Sequence, residues 1–238
     1  STPPHALSDA APDNALAGLA SIANTPLQDA IEGRGGDPLI LLFELQGVTQ
    51  FPNPGQSITV DIVGYLGEDT DGNPADNFSG TESFAISPDS YDPVTNLPFI
   101  RFPNVTISNS FGVLRIDTFP ANPARFQLDL DGTTPPLQLL VNPAFIRSTI
   151  TLGNDGLRFN PGLLGGVVPA RILATPVSAG GVDIVPLELL ISSDPANPVP
   201  DCDLNGDGTV NTVDATATNP DGVSVGLVFT TVPAAITR

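Results

Sequence analysis

The chain has 238 residues, and its 26 acids against 8 bases give a formal charge of −18, which argues against nucleic acid and anionic membrane as partners. Its single cysteine, Cys202, excludes an internal disulfide, and no apolar run of about 18 residues is present to predict a membrane-crossing helix. One histidine, His5, and no lysine leave no His-based triad or zinc site and no Schiff-base chemistry, so catalysis is not expected.

In chain order, residues 1–12 form a Pro-containing arm with no periodicity, a stretch too poor in apolar surface to order itself. The start, Ser1-Thr-Pro-Pro, lacks a signal-peptide pattern and reads as a mature, processed end. Two short helices are predicted over about 14–33. Asp13 caps the first, with Leu16, Leu19 and Ile22 on one face, and Thr25-Pro26-Leu27-Gln28 opens the second as a capping box with Pro at the first helical position. Gly33 and the Gly35-Gly36 pair end it.

Strand signals follow. Leu39–Leu45 is apolar on both faces and predicts a central, doubly covered strand. Ser57–Val63 alternates, with Ile58, Val60 and Ile62 on one face. Similar runs lie near 82–87, 98–102, 104–108, 112–118, 125–130, 137–141 and 145–152, divided by turns such as Asn53-Pro54-Gly55, Asp131-Gly132 and Asn154-Asp155-Gly156. Residues 157–176 are Gly-rich and apolar, with Pro169 placed to start a short helix, and 182–191 fits strand or helix. The last strand, Gly222–Phe229, alternates with Val223, Val225, Leu227 and Phe229 facing inward. Many short strands with this turn spacing predict a mainly β protein. The expected fold is an antiparallel β-sandwich, jelly-roll or immunoglobulin-like, formed by residues 13–238 as one domain behind the arm 1–12.

One stretch carries specific chemistry. Asp203-Leu-Asn-Gly-Asp-Gly-Thr-Val-Asn-Thr-Val-Asp214 places oxygen-bearing side chains of Asp203, Asn205, Asp207, Asn211 and Asp214 at loop positions 1, 3, 5, 9 and 12. The backbone carbonyl of Thr209 serves at position 7, Gly208 makes the sharp turn at position 6, and Val210 anchors the loop. Ca²⁺ takes six to eight hard oxygens at about 2.3–2.6 Å, and this spacing wraps them around one point. The loop resembles the EF-hand type, and most closely that of dockerin modules, with Asp at position 12. The resemblance covers these twelve residues and implies metal ligation alone. Only one loop is present, and Pro220 and Gly222 stop any following helix after about two turns, so the cohesin-binding role of dockerins is not implied. Cys202, beside the first ligand, fits a packed small residue better than a reactive thiol. The wider order of features, ending in this loop and Val-Ser-Val-Gly-Leu-Val-Phe229, resembles a group of secreted proteins of myxobacteria and relatives, a likeness that implies no activity.

A second acidic stretch, Glu68-Asp69-Thr-Asp71-Gly-Asn73-Pro-Ala-Asp76-Asn77, gives Asp69, Asp71 and Asn73 the alternate spacing of calcium ligands, with Asp76 completing the set. Pro74 stands where a calcium loop has its sixth-position glycine, and the competing interpretation is a solvated hairpin tip. Asp129-Leu-Asp131-Gly132 is a weaker candidate of the same kind. Asn77-Phe-Ser79 and Asn104-Val-Thr106 match the glycan-acceptor pattern. The expected function is therefore a non-enzymatic, calcium-stabilised protein of the extracellular space or cell surface. In the first reading it is a structural subunit that assembles with itself, as a filament or surface layer, through its arm. The second is a monomeric calcium-dependent adhesin or carbohydrate-binding module with surface glycans as partners, although the chain has no Trp and only Tyr65 and Tyr91 for sugar stacking.

Overall fold

The computed structural model describes residues 39–118, 124–128, 137–141, 144–169, 177–179, 182–184, 202–204 and 221–238. The arm 1–12 and both predicted N-terminal helices lie outside the described residues. The described chain is mainly β. Its strands are β1 (Ile40–Gln46), β2 (Ser57–Asp69), β3 (Ser83–Ile86), β4 (Ile100–Ser110), β5 (Val113–Asp117), β6 (Ala124–Leu128), β7 (Leu137–Val141), β8 (Ala144–Gly153), β9 (Gly156–Pro169), β10 (Val177–Ala179), β11 (Val182–Ile184), β12 (Gly222–Phe229) and β13 (Ala235–Thr237). Nine of them form one sheet in the order β12-β9-β8-β5-β4-β2-β3-β13, with β1 added to β2.

The chain divides into two compact units. One comprises Ser1–Gln28, Arg125–Pro143 and Gly165–Leu227. Its described parts include the pairs β6-β7 and β10-β11 and the bridge between Cys202 and Gly222. The other comprises Asp29–Ala124, Ala144–Leu164 and Val228–Arg238 and holds β1 to β5, β8 and β13. The boundary falls inside β9 and inside β12.

Within the second unit, β2 is the strand the others are built on. Val63 pairs with Glu44 of β1 and with Arg101 of β4, while Gly67 pairs with Ile40 of β1 and Ile86 of β3. A residue has only two sheet neighbours, so β4 and then β3 share the side of β2 opposite β1. The alternation read from the sequence holds: Val60 and Ile62 are buried on one face with Phe102, Val105 and Ile107. On the other face Val63 and Tyr65 form a second cluster with Ile40, Leu42 and Phe84, against which Ile236 packs. Gly64 is required where β2 passes β4, because a Cβ there would lie 2.6 Å from Ile100 Cγ2.

Three expectations change. The runs 98–102 and 104–108 are one strand, β4, whose register on β2 shifts between Val60 and Ile62. Asp61 stabilises the irregularity by accepting the Asn104 N–H at 2.9 Å and the Arg101 guanidinium at 2.8 Å. Strand β1 is not central: among the described residues it pairs only with β2, and Leu41 is 38 % exposed. It is apolar on both faces because Ile40 and Leu42 join the second cluster while Phe43 packs on the rings of Phe159 and Phe229, with centroids 6.1 and 5.7 Å away. The Gly-rich stretch from 157 is strand β9 through Pro169, while the residues that would continue a short helix from Pro169 lie outside the described residues; Leu227 is 43 % exposed instead of inward. No helix among the described residues is long and apolar enough to cross a membrane.

Candidate metal centre

The connection from β2 to β3 carries the second acidic stretch. Asp69 pairs with Phe84 and Glu68 with Ala85, so extending this antiparallel register by two residues brings Asp71 opposite Glu82. The loop folds on itself through its own side chains. Asp69 Oδ1 accepts the N–H groups of Asp71 at 3.1 Å and Gly72 at 3.0 Å. Asp71 Oδ1 accepts the Asn73 N–H at 2.8 Å, and Asn73 Nδ2 donates to Asp76 Oδ2 at 2.7 Å. Gly72, at φ 72°, supplies the left-handed turn that this wrapping needs.

Carboxylate oxygens of Asp71, Asp76 and Glu82 lie within 4.8 Å of one another. Two oxygens on opposite sides of one Ca²⁺, each at about 2.3–2.6 Å, are separated by about that distance. Asp69 Oδ2 and Asp76 Oδ1 are buried without a hydrogen-bond partner. So is Nδ2 of Asn77, a residue only 3 % exposed. Among the described residues the arginine ion pairs go elsewhere, to Glu44, Asp61, Asp117 and Asp155. Shielded carboxylate oxygens with neither donor nor counter-charge are costly unless a cation or water fills the gap.

The electrostatics agree. Burial pushes the Glu82 carboxyl above its ordinary value, and the negative charges of Asp76, Asp71 and Asp69 push it further. Burial also pushes Asp69 up, but the Gly72 and Asp71 N–H groups that bond its Oδ1 outweigh it and hold Asp69 below the usual range. The loop therefore keeps an anion in place while crowding its neighbours with like charge.

Of the sequence-predicted set, Asp71 and Asp76 converge. Asp69 lies beside them with one oxygen committed to backbone, and Asn73 turns its amide donor onto Asp76. Glu82 is the member that sequence spacing missed. It comes from the far side of the hairpin, and only the strand register reveals it. The glycan-acceptor reading of Asn77 is corrected by its burial, whereas Asn104 is exposed.

Of the longer loop, Asp203 is described, whereas Asn205, Asp207, Thr209, Asn211 and Asp214 lie outside the described residues, as do Asp129 and Asp131. Asp203 is 9 % exposed and follows Cys202, which is buried and exchanges both backbone hydrogen bonds with Gly222 at 3.0 Å. Next to it Asp221, 0 % exposed, accepts the Leu204 N–H at 3.2 Å. The base of the loop thus holds two buried acids, and Asp221 was not singled out by the spacing. Cys202 occupies the packed position expected of it.

Comparison of the chain with protein-family models, with curated proteins and with solved structures gives no significant match.

Proposed function

We propose that this chain is a calcium-stabilised, non-enzymatic protein of the extracellular space or cell surface, a structural subunit that assembles with copies of itself through the arm 1–12. The observation that carries the calcium part is the loop 69–82, where buried oxygens of Asp69 and Asp76 lack partners beside the converging carboxylates of Asp71, Asp76 and Glu82. The spacing of Asp203, Asn205, Asp207, Thr209, Asn211 and Asp214 supports a second ion. A β-sandwich is the reading of the architecture that suits both. The contact of Phe43 in β1 with the rings of Phe159 and Phe229 supports that reading. A groove of about 770 Å³, lined in part by Leu41, Phe43, Phe51, Phe159 and Val232, favours the second reading, a monomeric adhesin or carbohydrate-binding module.

The test of the calcium reading is thermal melting of the full chain in CaCl₂ and in EDTA, with the heat of CaCl₂ binding measured directly. An ion held at a hundredfold its dissociation constant stabilises by about 2.7 kcal/mol, which for a chain of this size is about 5–10 °C in melting temperature. Asp203→Ala and the pair Asp71→Asn with Asp76→Asn should each reproduce part of that loss without chelator. Identical melting in CaCl₂ and EDTA, with no heat of binding, would falsify the reading.

A further inference from the structure

Among the described residues one arginine stands without an acid. Arg101, Arg147, Arg158 and Arg238 pair with Asp61, Asp117, Asp155 and Glu44, whereas Arg115 makes no ion pair and no side-chain hydrogen bond there. In a chain with 26 acids and 8 bases, such an arginine is the exception. We propose that Arg115 anchors a groove that binds a sugar acid, a hydroxylated ring bearing a carboxylate, as in a uronic-acid polysaccharide. The inference goes beyond the function proposed above and depends neither on calcium nor on assembly.

Arg115 lies on the exposed face of β5, between Leu114 and Ile116, which are buried on the other face. Register sets Ser108 of β4 and Thr149 of β8 directly opposite it. Both hydroxyl-bearing side chains therefore share its face, with Cβ atoms about 4.5–5.5 Å away. In the next row Asp117 stands between Thr106 and Arg147. Arg147 Nε donates to Asp117 Oδ1 at 2.8 Å, and its guanidinium lies 5.4 Å from the centre of the Phe145 ring. Carboxylate and ring hold Arg147 in place and leave the Arg115 guanidinium open. A groove of about 420 Å³ is lined here by Arg115, Arg147 and Thr149 together with Pro161, Leu163 and Val228. All of these residues belong to the second compact unit.

Each part of the groove asks for a different part of the ligand. An open guanidinium is a planar fork of N–H donors that fits a carboxylate bidentately. Ser108 and Thr149 offer hydroxyls that donate or accept, and Asp117 keeps acceptor capacity beyond its bond to Arg147. Leu163 and Val228, the latter 72 % exposed, supply apolar surface. A sugar acid carries the complements on one rigid ring: a carboxylate, hydroxyls and a C–H face. An acidic peptide brings its carboxylates on flexible side chains, whose ordering lowers affinity. The charge balance selects in the same direction. A dense polyanion is repelled by a chain of formal charge −18, whereas a ligand with one charge per ring meets less opposition and finds its local counter-charge in Arg115.

The experiment measures binding of trigalacturonate to the full chain by titration calorimetry and by amide chemical shifts, with its methyl ester and a short polyglutamate as comparison ligands. The variants are Arg115→Gln, Val228→Glu and Arg158→Gln, the last removing one positive charge outside the groove. Trigalacturonate is expected to bind the wild type and to shift the amides of 115, 147, 149 and 228. Arg115→Gln should weaken binding by at least about tenfold, the scale of a lost hydrogen-bonded charge contact. Esterification should weaken it comparably, because it removes the charge and keeps the ring, and Arg158→Gln should bind as the wild type does. No binding to the wild type, or wild-type affinity in Arg115→Gln, overturns the inference. Equal weakening in Arg158→Gln overturns it by assigning the effect to net charge, and polyglutamate bound as tightly as trigalacturonate overturns it by removing the sugar. Should Arg115→Gln lose its β-sheet circular dichroism, Val228→Glu decides: it brings a like charge to an exposed position of the groove, and unchanged binding there overturns the inference. None of these outcomes bears on melting in CaCl₂ and EDTA, so the calcium reading stands or falls separately.

Discussion

Phe111 sits at the tip of the hairpin between β4 and β5 with φ 54°, followed by Gly112 at φ 88°, and its ring is fully exposed. Two successive positive φ values define the tight hairpin turn that suits the twist of its strands, and Asn-Gly is the pair that adopts it at least cost. A bulky residue in the left-handed region costs about 1–2 kcal/mol, and here no burial offsets it. Phe111→Asn is therefore expected to raise stability by about 1 kcal/mol, or about 2–4 °C in melting temperature, with the β-sheet circular dichroism unchanged. A lower melting temperature would show that the ring makes contacts its exposure does not suggest. The same scale explains what was legible at the candidate site. Asp69, Asp71 and Asp76 were found because ligand spacing is a local property of the chain. Glu82 and Asn77 were not, because what gathers them is the pairing of β2 with β3 and the burial of one amide, neither of which is written in local spacing.

Strands were legible wherever apolar residues alternate over a long enough run, as in β2, β5 and β8, because a one-sided face repeats every two residues. Pro103 divides β4 into two runs in the sequence, since proline removes a ladder donor. The chain absorbs it at a register shift that Asp61 secures. Strand β13 was missed because three residues, Ala-Ile-Thr, carry no readable period. Its anchor is equally non-local: Arg238 donates two hydrogen bonds of 2.7 Å to Glu44, and Gln46 and Tyr65 donate to the same carboxylate. Burial pushes Glu44 up, but the bonds from Gln46, Arg238 and Tyr65 outweigh it and hold it below its ordinary value. A carboxylate lowered in the folded state contributes stability that is present above the unfolded value and lost as pH falls through the folded one. Glu44→Gln should thus flatten the acid side of the stability profile below about pH 4.5. It should cost under about 1 kcal/mol at neutral pH, because solvent screens the pair. Denaturant unfolding across pH 2–7 checks this, and parallel profiles for the variant and the wild type would refute it.

At the scale of the whole molecule, the charge of −18 is the term that any assembly must overcome. Copies of such a chain repel at low salt, and the repulsion weakens as ions shorten the screening length to about 10 Å at 0.1 M. A divalent cation does more than screen. Bound at the acidic loops, as proposed, it would also cancel part of that charge. The proposed assembly runs through residues 1–12, whose Leu7 and several alanines would suit a sheet edge or a groove of a neighbour. Repetition of one such head-to-tail contact would build a filament where the rotation between copies does not close a ring. Light scattering with and without CaCl₂ separates the two calcium effects when NaCl of equal ionic strength is the control. The expected outcome is mass that grows in CaCl₂ beyond the NaCl control and growth that disappears when residues 1–12 are deleted, with melting temperature unaffected. Equal growth in both salts would assign the effect to screening alone. A monodisperse monomer at every calcium concentration, indifferent to the deletion, would refute assembly and leave the monomeric adhesin, whose groove beside β1 is then the surface to test against glycans.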